Sequence, residues 1–166
     1  MSLRILATGG TFDKRYDPIA GTLGFAGTHL HALLRQARIE GAAAVQELMQ
    51  VDSLDMTDAH RRQVLEACAA SPEDRIVVVH GTDTLVETAR VLGEARLPRT
   101  IVLTGAMVPV DLAESDALFN LGFAAGCARV LPHGVHVAMN AQVFAWNAVR
   151  KNRALGVFET APAAQA

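Results

Sequence analysis

Five short apolar runs rich in β-branched residues alternate along this chain with four longer stretches of helical spacing, and that alternation restricts the fold more than any other feature. The runs, at residues 3–7, 45–51, 76–79, 101–103 and 135–139, are too short for helices and read as strands. The stretches between them, 30–38, 57–70, 85–95 and 115–130, repeat apolar residues three and four apart and read as helices. Strand followed by helix predicts an α/β fold: a mainly parallel sheet with helices on both faces, three layers of the Rossmann or flavodoxin kind. Ile76-Val77-Val78-Val79 is apolar without alternation, as a strand covered on both faces requires, and is expected at the sheet centre. With 166 residues, 51% of them apolar, the chain can bury one real core. A single domain over residues 1–160 is expected, with 161–166 as a frayed tail.

Composition removes several classes of function. A net charge of −2 supplies no basic face to displace phosphate counterions, so no nucleic-acid partner is expected. No apolar stretch approaches the length of a membrane span, and Met1-Ser2-Leu3-Arg4 lacks the pattern of a signal peptide, so a cytoplasmic protein with no membrane partner is expected. Cys68 and Cys127 both fall in helical stretches, far apart in sequence, which reads as two structural thiols in a reducing compartment. The six histidines show no zinc-ligand spacing with cysteine, and H-E-x-x-H is missing, so no metal is expected. G-x-S-x-G, the dinucleotide fingerprint and the phosphate loop are absent too.

In an open α/β sheet the ligand sits beyond the carboxyl ends of the strands, so chemistry is sought just after each apolar run. The first is followed by Ala7-Thr8-Gly9-Gly10-Thr11, where paired glycines let the backbone turn and approach a ligand. Thr11 at the tip of that turn is either an ordinary turn residue or a nucleophile awaiting a base. Asp52-Ser53-Leu54-Asp55 follows the second run and reads equally well as turn and cap. His80-Gly81-Thr82-Asp83-Thr84 follows the third; Thr84 with Glu87 reads as a capping box, which leaves Thr82 and Asp83 to project into the crevice. The small residues Thr104-Gly105-Ala106 after the fourth run read as close packing. Thirteen of the fifteen basic residues are Arg, so the two lysines, Lys14 and Lys151, stand out. Lysine can relay a proton where arginine cannot, yet spacing alone reads Arg150-Lys151-Asn152-Arg153 as solvated charge.

Taken together with Thr104-Gly105-Ala106-Met107 and Ser115-Asp116-Ala117-Leu118-Phe119-Asn120-Leu121, these segments resemble the bacterial-type L-asparaginase and glutaminase-asparaginase family, in the same order and spacing. The likeness runs from residue 3 to about 159 and corresponds to the N-terminal domain of longer members, as in short forms of the family. It implies hydrolysis of L-asparagine, with weak activity on glutamine, through an acyl-enzyme on Thr11 and without a cofactor. Thr82, Asp83 and Lys151 match the group that relays protons and orients water; Lys151 is placed by its distance from Val137-Ala138-Met139-Asn140. Ser53 matches the contact to the substrate α-carboxylate, and Asp83 a contact to its ammonium; Gly10, Asp52, Gly81 and Thr82 are expected to bind substrate with them. Tyr16, the only tyrosine, stands five residues past Thr11 and is carried as the helper tyrosine that longer members hold farther along a mobile loop. The departures are Val108, where the family often has Arg, and the C-terminal domain, which in longer members supplies an acidic contact from a neighbouring protomer. A more open crevice is therefore expected, with a millimolar KM for asparagine, on the order of 4 kcal/mol weaker than a micromolar one. Self-association as a homodimer or larger assembly is expected as well. A binding module for an amino acid or nucleotide, on the same fold but without turnover, is the alternative.

Overall fold

The computed structural model describes residues 2–39 and 43–162. Six strands form one sheet: β1 (Leu3–Gly9), β4 (Ala43–Val51), β5 (Arg75–Val79), β6 (Thr100–Thr104), β7 (Gly134–Met139) and β8 (Gln142–Ala145), in the order β4-β1-β5-β6-β7-β8. All neighbours run parallel except β7 and β8. The five expected strands are thus the parallel part of the sheet, and residues 76–79 lie in its middle. The helices α1 (Leu30–Gln36), α2 (Asp58–Ala70), α3 (Leu85–Glu94) and α4 (Ala117–Val130) fill the expected stretches. None among the described residues is long and apolar enough to cross a membrane.

Strand residues alternate between two cores, as the pleat requires. Leu3, Ile5, Val77, Val79 and Val102 face α1 and α4, meeting Leu30, Leu33, Leu121 and Ala124. Leu6, Ile76, Val78, Ile101 and Leu103 face α2 and α3, meeting Val64, Cys68, Ala89 and Leu92. Both thiols are buried and free.

The short strands go beyond the sequence expectation. Besides β8 at the sheet edge, β2 (Lys14–Asp17) pairs with β3 (Thr22–Phe25), and β9 (Val149–Asn152) with β10 (Val157–Thr160), each as an antiparallel hairpin. Ala161 N–H donates to Ala148 O at 3.0 Å, which continues the second hairpin; the expected tail lies outside the described residues from 163 onward.

The order of the parallel strands fixes where a ligand can enter. Chain connections from β1 run first to one neighbour, β4, and then across to the other, β5, so the strand order reverses beside β1. At such a switch point the loops after adjacent strands diverge and leave a crevice. Here those loops are residues 10–13 after β1 and 80–84 after β5.

Candidate active site

Glycine brings these two loops together. Gly10 and Gly81 approach so closely that a Cβ on Gly10 would stand 2.3 Å from Gly81 Cα, and Gly10 adopts a φ of 71°, which side chains disfavour. Gly81 meets the end of β4 in the same way, since its own Cβ would lie 2.6 Å from Ser53 Cβ. The ends of β4, β1 and β5 therefore converge with Ser53, the Thr11 turn and Thr82 around them. Thr11 opens a 3-10 turn, Thr11–Asp13, and is half-buried.

Thr84 contributes differently from the expectation. Its hydroxyl does not cap α3; it donates to Ser53 O at 2.6 Å, and the residue's φ of −125° and ψ of 22° depart from the extended backbone of an N-cap. The capping box of Thr84 and Glu87 is thus replaced by a bond that joins the loop after β5 to the loop after β4. A capping box does form at α2, where Thr57 accepts from His60 N–H and the His60 ring accepts from Thr57 N–H.

Lys151 reaches the site from the second hairpin. Its Nζ donates to Thr82 Oγ1 at 2.7 Å and to Asp83 Oδ1 at 3.0 Å. The solvated-charge reading from spacing therefore fails: Lys151 shares the inward face of β9 with buried Val149, two residues before it. Arg153, mostly exposed, lies 3.7 Å from Asp83 Oδ1 and donates to Asp83 O at 3.3 Å. Arg150 points away and pairs with Glu159.

The other lysine, Lys14, forms an ion pair with Asp52. Burial raises the Asp52 pKa, but the bonds from Lys14 and from Leu54 N–H, with the Lys14 charge, outweigh it and hold the carboxylate below its ordinary range. Asp52 thus serves as the cap of the turn Ser53–Asp55 and as the partner of Lys14. Tyr16, on β2, is 55% exposed. It lines a groove of about 390 Å³ within its own hairpin, with Pro18, Thr22 and Phe25.

The Ser115–Leu121 segment supports the crevice from behind. Asp116 accepts from Met107 and Val108 N–H, and Ser115 donates to Val108 O at 2.8 Å. Asn120, fully buried, donates to Gly105 O at 3.0 Å and accepts from Asn140 N–H at 3.2 Å, linking the ends of β6 and β7. Gly105 allows the close approach expected of it, since a Cβ there would meet His80 O at 2.3 Å.

Residues 2–162 match the family model described as Asparaginase, N-terminal. The chain belongs to this family. Across 95% of its length it is 30% identical to an L-asparaginase of Thermococcus kodakarensis, of which it covers 49%. It is also 33% identical over 129 residues to one component of the glutamyl-tRNA(Gln) amidotransferase of Aeropyrum pernix, covering 70% of this chain and 29% of that one. Among solved structures, the Thermococcus kodakarensis thermostable L-asparaginase superposes with a TM-score of 0.83 at 30% identity, covering 96% of this chain and 51% of that one. L-asparaginase I of Vibrio cholerae does so with a TM-score of 0.85 at 26% identity, again over 96% of this chain and 51% of that one. The chain spans about half the length of the asparaginases it matches.

Proposed function

We propose that this family member hydrolyses the side-chain amide of L-asparagine, with weak activity on glutamine, through an ester formed on Thr11. The observation that carries the reading is Lys151 held between Thr82 and Asp83 beside the Thr11 turn. In this scheme Thr11 Oγ attacks the carboxamide carbon, and the first N–H groups of the 3-10 turn, which have no partner within it, face the developing oxyanion. Collapse of the tetrahedral intermediate breaks the C–N bond and releases ammonia. Water then cleaves the aspartyl ester and restores Thr11. Thr82 Oγ1 accepts from Lys151, which leaves its own hydrogen free for a group in the crevice, so Thr82 and Lys151 together relay protons and orient the water.

Both cations on Asp83 bear on Oδ1, which leaves Oδ2 to take the substrate ammonium. Ser53 takes the α-carboxylate, and Gly10 and Gly81 keep the backbone close enough for both contacts. Tyr16 acts as the helper to Thr11. No cofactor enters this chemistry. A cytoplasmic setting fits the two buried free thiols. Association into a homodimer or larger assembly is supported by the exposure of Phe119 and Val130 on α4.

The test is ammonia release from asparagine and from glutamine by the purified protein and by Thr11→Ala. Turnover by the wild type that the variant lacks supports the reading; equal turnover rejects it. The amidotransferase relatives favour a second reading, in which the same cleavage hands its nitrogen to an acceptor held by a protein partner. The isolated chain would then accumulate the Thr11 ester, visible by mass spectrometry, with one equivalent of ammonia released per chain and no sustained turnover.

A further inference from the structure

The turn that carries Thr11 is anchored by a carboxylate the scheme above does not use. Asp13, two residues on and 1% exposed, accepts at Oδ1 from Thr28 Oγ1 at 3.0 Å and from His29 N–H at 2.9 Å. Asp13 precedes hairpin β2–β3, and Thr28 and His29 follow it, so one carboxylate closes the base of the whole hairpin. His29 is 5% exposed and reaches the opposite way, with Nε2 2.9 Å from Oδ1 of Asp111 in the segment between β6 and α4. A line of groups Asp111–His29–Asp13 therefore runs from the loop behind the crevice to the Thr11 turn.

Two buried atoms in this line have no hydrogen-bond partner, Asp13 Oδ2 and His29 Nδ1. His29 Nδ1 lies 3.6 Å from Asp13 Oδ1. A ring that donates from Nε2 to the Asp111 carboxylate presents, when neutral, a lone pair at Nδ1, so without another proton two acceptors face each other in a desolvated place. One proton removes the conflict. On Nδ1 it makes an imidazolium between two carboxylates; on Asp13 it makes a carboxyl that donates to the ring. Burial raises the Asp13 pKa, against the bonds from His29 N–H and Thr28 and the His29 charge, and the charge of Glu47 on β4 raises it further. His29 faces both Asp13 and Asp111, and neighbouring Lys14 is engaged by Asp52.

We propose that Asp13 and His29 are positioning residues for Thr11, sharing one proton that clamps the base of hairpin β2–β3 and the Asp111 loop to the turn bearing the nucleophile. The proposal rests on the reading of Thr11 given above. Once the proton leaves, the facing acceptors push apart and Thr11 loses its alignment, so turnover falls on the alkaline side.

Asp13→Asn separates this role from simple packing, because its amide keeps an acceptor at the Oδ1 place for Thr28 and His29 N–H, sets a donor at the Oδ2 place and cannot take up or lose the shared proton. Asp13→Ala is expected to lower kcat by about 10²-fold with little change in KM, the scale of a misplacement of about 1 Å. Asp13→Asn should restore most of that loss near neutral pH and flatten the alkaline limb of the kcat profile. An alkaline limb in Asp13→Asn identical to the wild-type limb overturns the proposal. Amide hydrogen exchange at the base of hairpin β2–β3 gives a readout independent of activity: a shared proton predicts that wild-type protection there falls on the alkaline side and that Asp13→Asn protection does not. Equal pH dependence in the two proteins also overturns the proposal. A difference between them in a protein without amidase activity would reject the Thr11 reading and retain the shared proton as a clamp on the hairpin.

Discussion

His80, the residue at the end of β5, should set an acid limit on stability. Its Nδ1 lies 2.8 Å from Gly81 O and its Nε2 2.8 Å from Thr88 Oγ1. A carbonyl only accepts, so Nδ1 carries the hydrogen and Nε2 accepts from the threonine, which selects the neutral ring. Complete burial pushes the His80 pKa down from 6.5 to about 4; the Gly81 bond opposes this and the Arg61 charge adds to it. Between those two values the unfolded state binds more protons than the folded one, so this contribution is complete above pH 6.5 and is lost as pH falls toward 4. Near pH 5 the loss is about 2 kcal/mol relative to pH 7.5, approaching about 3 kcal/mol below the folded pKa. For a chain of this length, 2 kcal/mol corresponds to roughly 4–8 °C in Tm. The assay is thermal unfolding near neutral pH and near pH 5, for the wild type and for His80→Gln, which cannot titrate. The variant should melt lower near neutral pH because its packing is poorer, yet its acid-induced drop should be smaller than the wild-type drop by roughly that 4–8 °C. Equal acid drops in the two proteins would refute the reasoning.

Thr11→Ala should abolish amide hydrolysis with Tm nearly unchanged, as ammonia release and a thermal melt will show. Lys151→Ala should lower kcat by roughly 10²–10⁴, and Lys151→Arg should recover little because a guanidinium does not release a proton near neutral pH. Gly81→Ala forces a Cβ to 2.6 Å from Ser53 Cβ and 2.7 Å from its Oγ, so Ser53 must shift. A rise in KM for asparagine and a stability loss of about 1–3 kcal/mol are expected, read from initial rates and denaturant unfolding. Burial drives the Cys68 thiol up to about 12, so iodoacetamide should leave it unmodified in the folded protein and alkylate it in denaturant, with mass mapping as the readout.

The parallel sheet and its four helices were legible because each element carries one dominant period over enough residues to show it. The hairpins were not, and the reason is length. Lys14–Asp17 and Thr22–Phe25 are mostly exposed four-residue strands, stabilised by each other rather than by an apolar face. Val149–Asn152 held a usable signal in its alternation, since an inward Val149 places Lys151 inward as well. The basic neighbours Arg150 and Arg153 obscured it. The Thr84 capping box failed for a different reason: Ser53 O competes for the same hydroxyl, and that acceptor lies 31 residues away in sequence.

The candidate site divides along the same line between local and distant information. Thr11, Ser53, Thr82 and Asp83 each follow an apolar run, so strand ends alone mark them as crevice residues. Their convergence depends on contacts no local pattern displays: Gly10 against Gly81, Gly81 against Ser53, and Thr84 against Ser53 O. In the first two of these, a side chain on the glycine would meet the other loop at 2.3–2.6 Å. The paired glycines after β1 and the single glycine after β5 therefore act at the level of tertiary packing, setting how closely the Thr11 turn can approach Thr82. Lys151 completes the arrangement from the other end of the chain, where an inward-facing ammonium finds a hydroxyl and a carboxylate together. A buried or half-buried lysine without such partners would lose much of its hydration uncompensated, so the burial of Lys151 and the exposure of Thr82 and Asp83 to it are one structural fact seen from two sides.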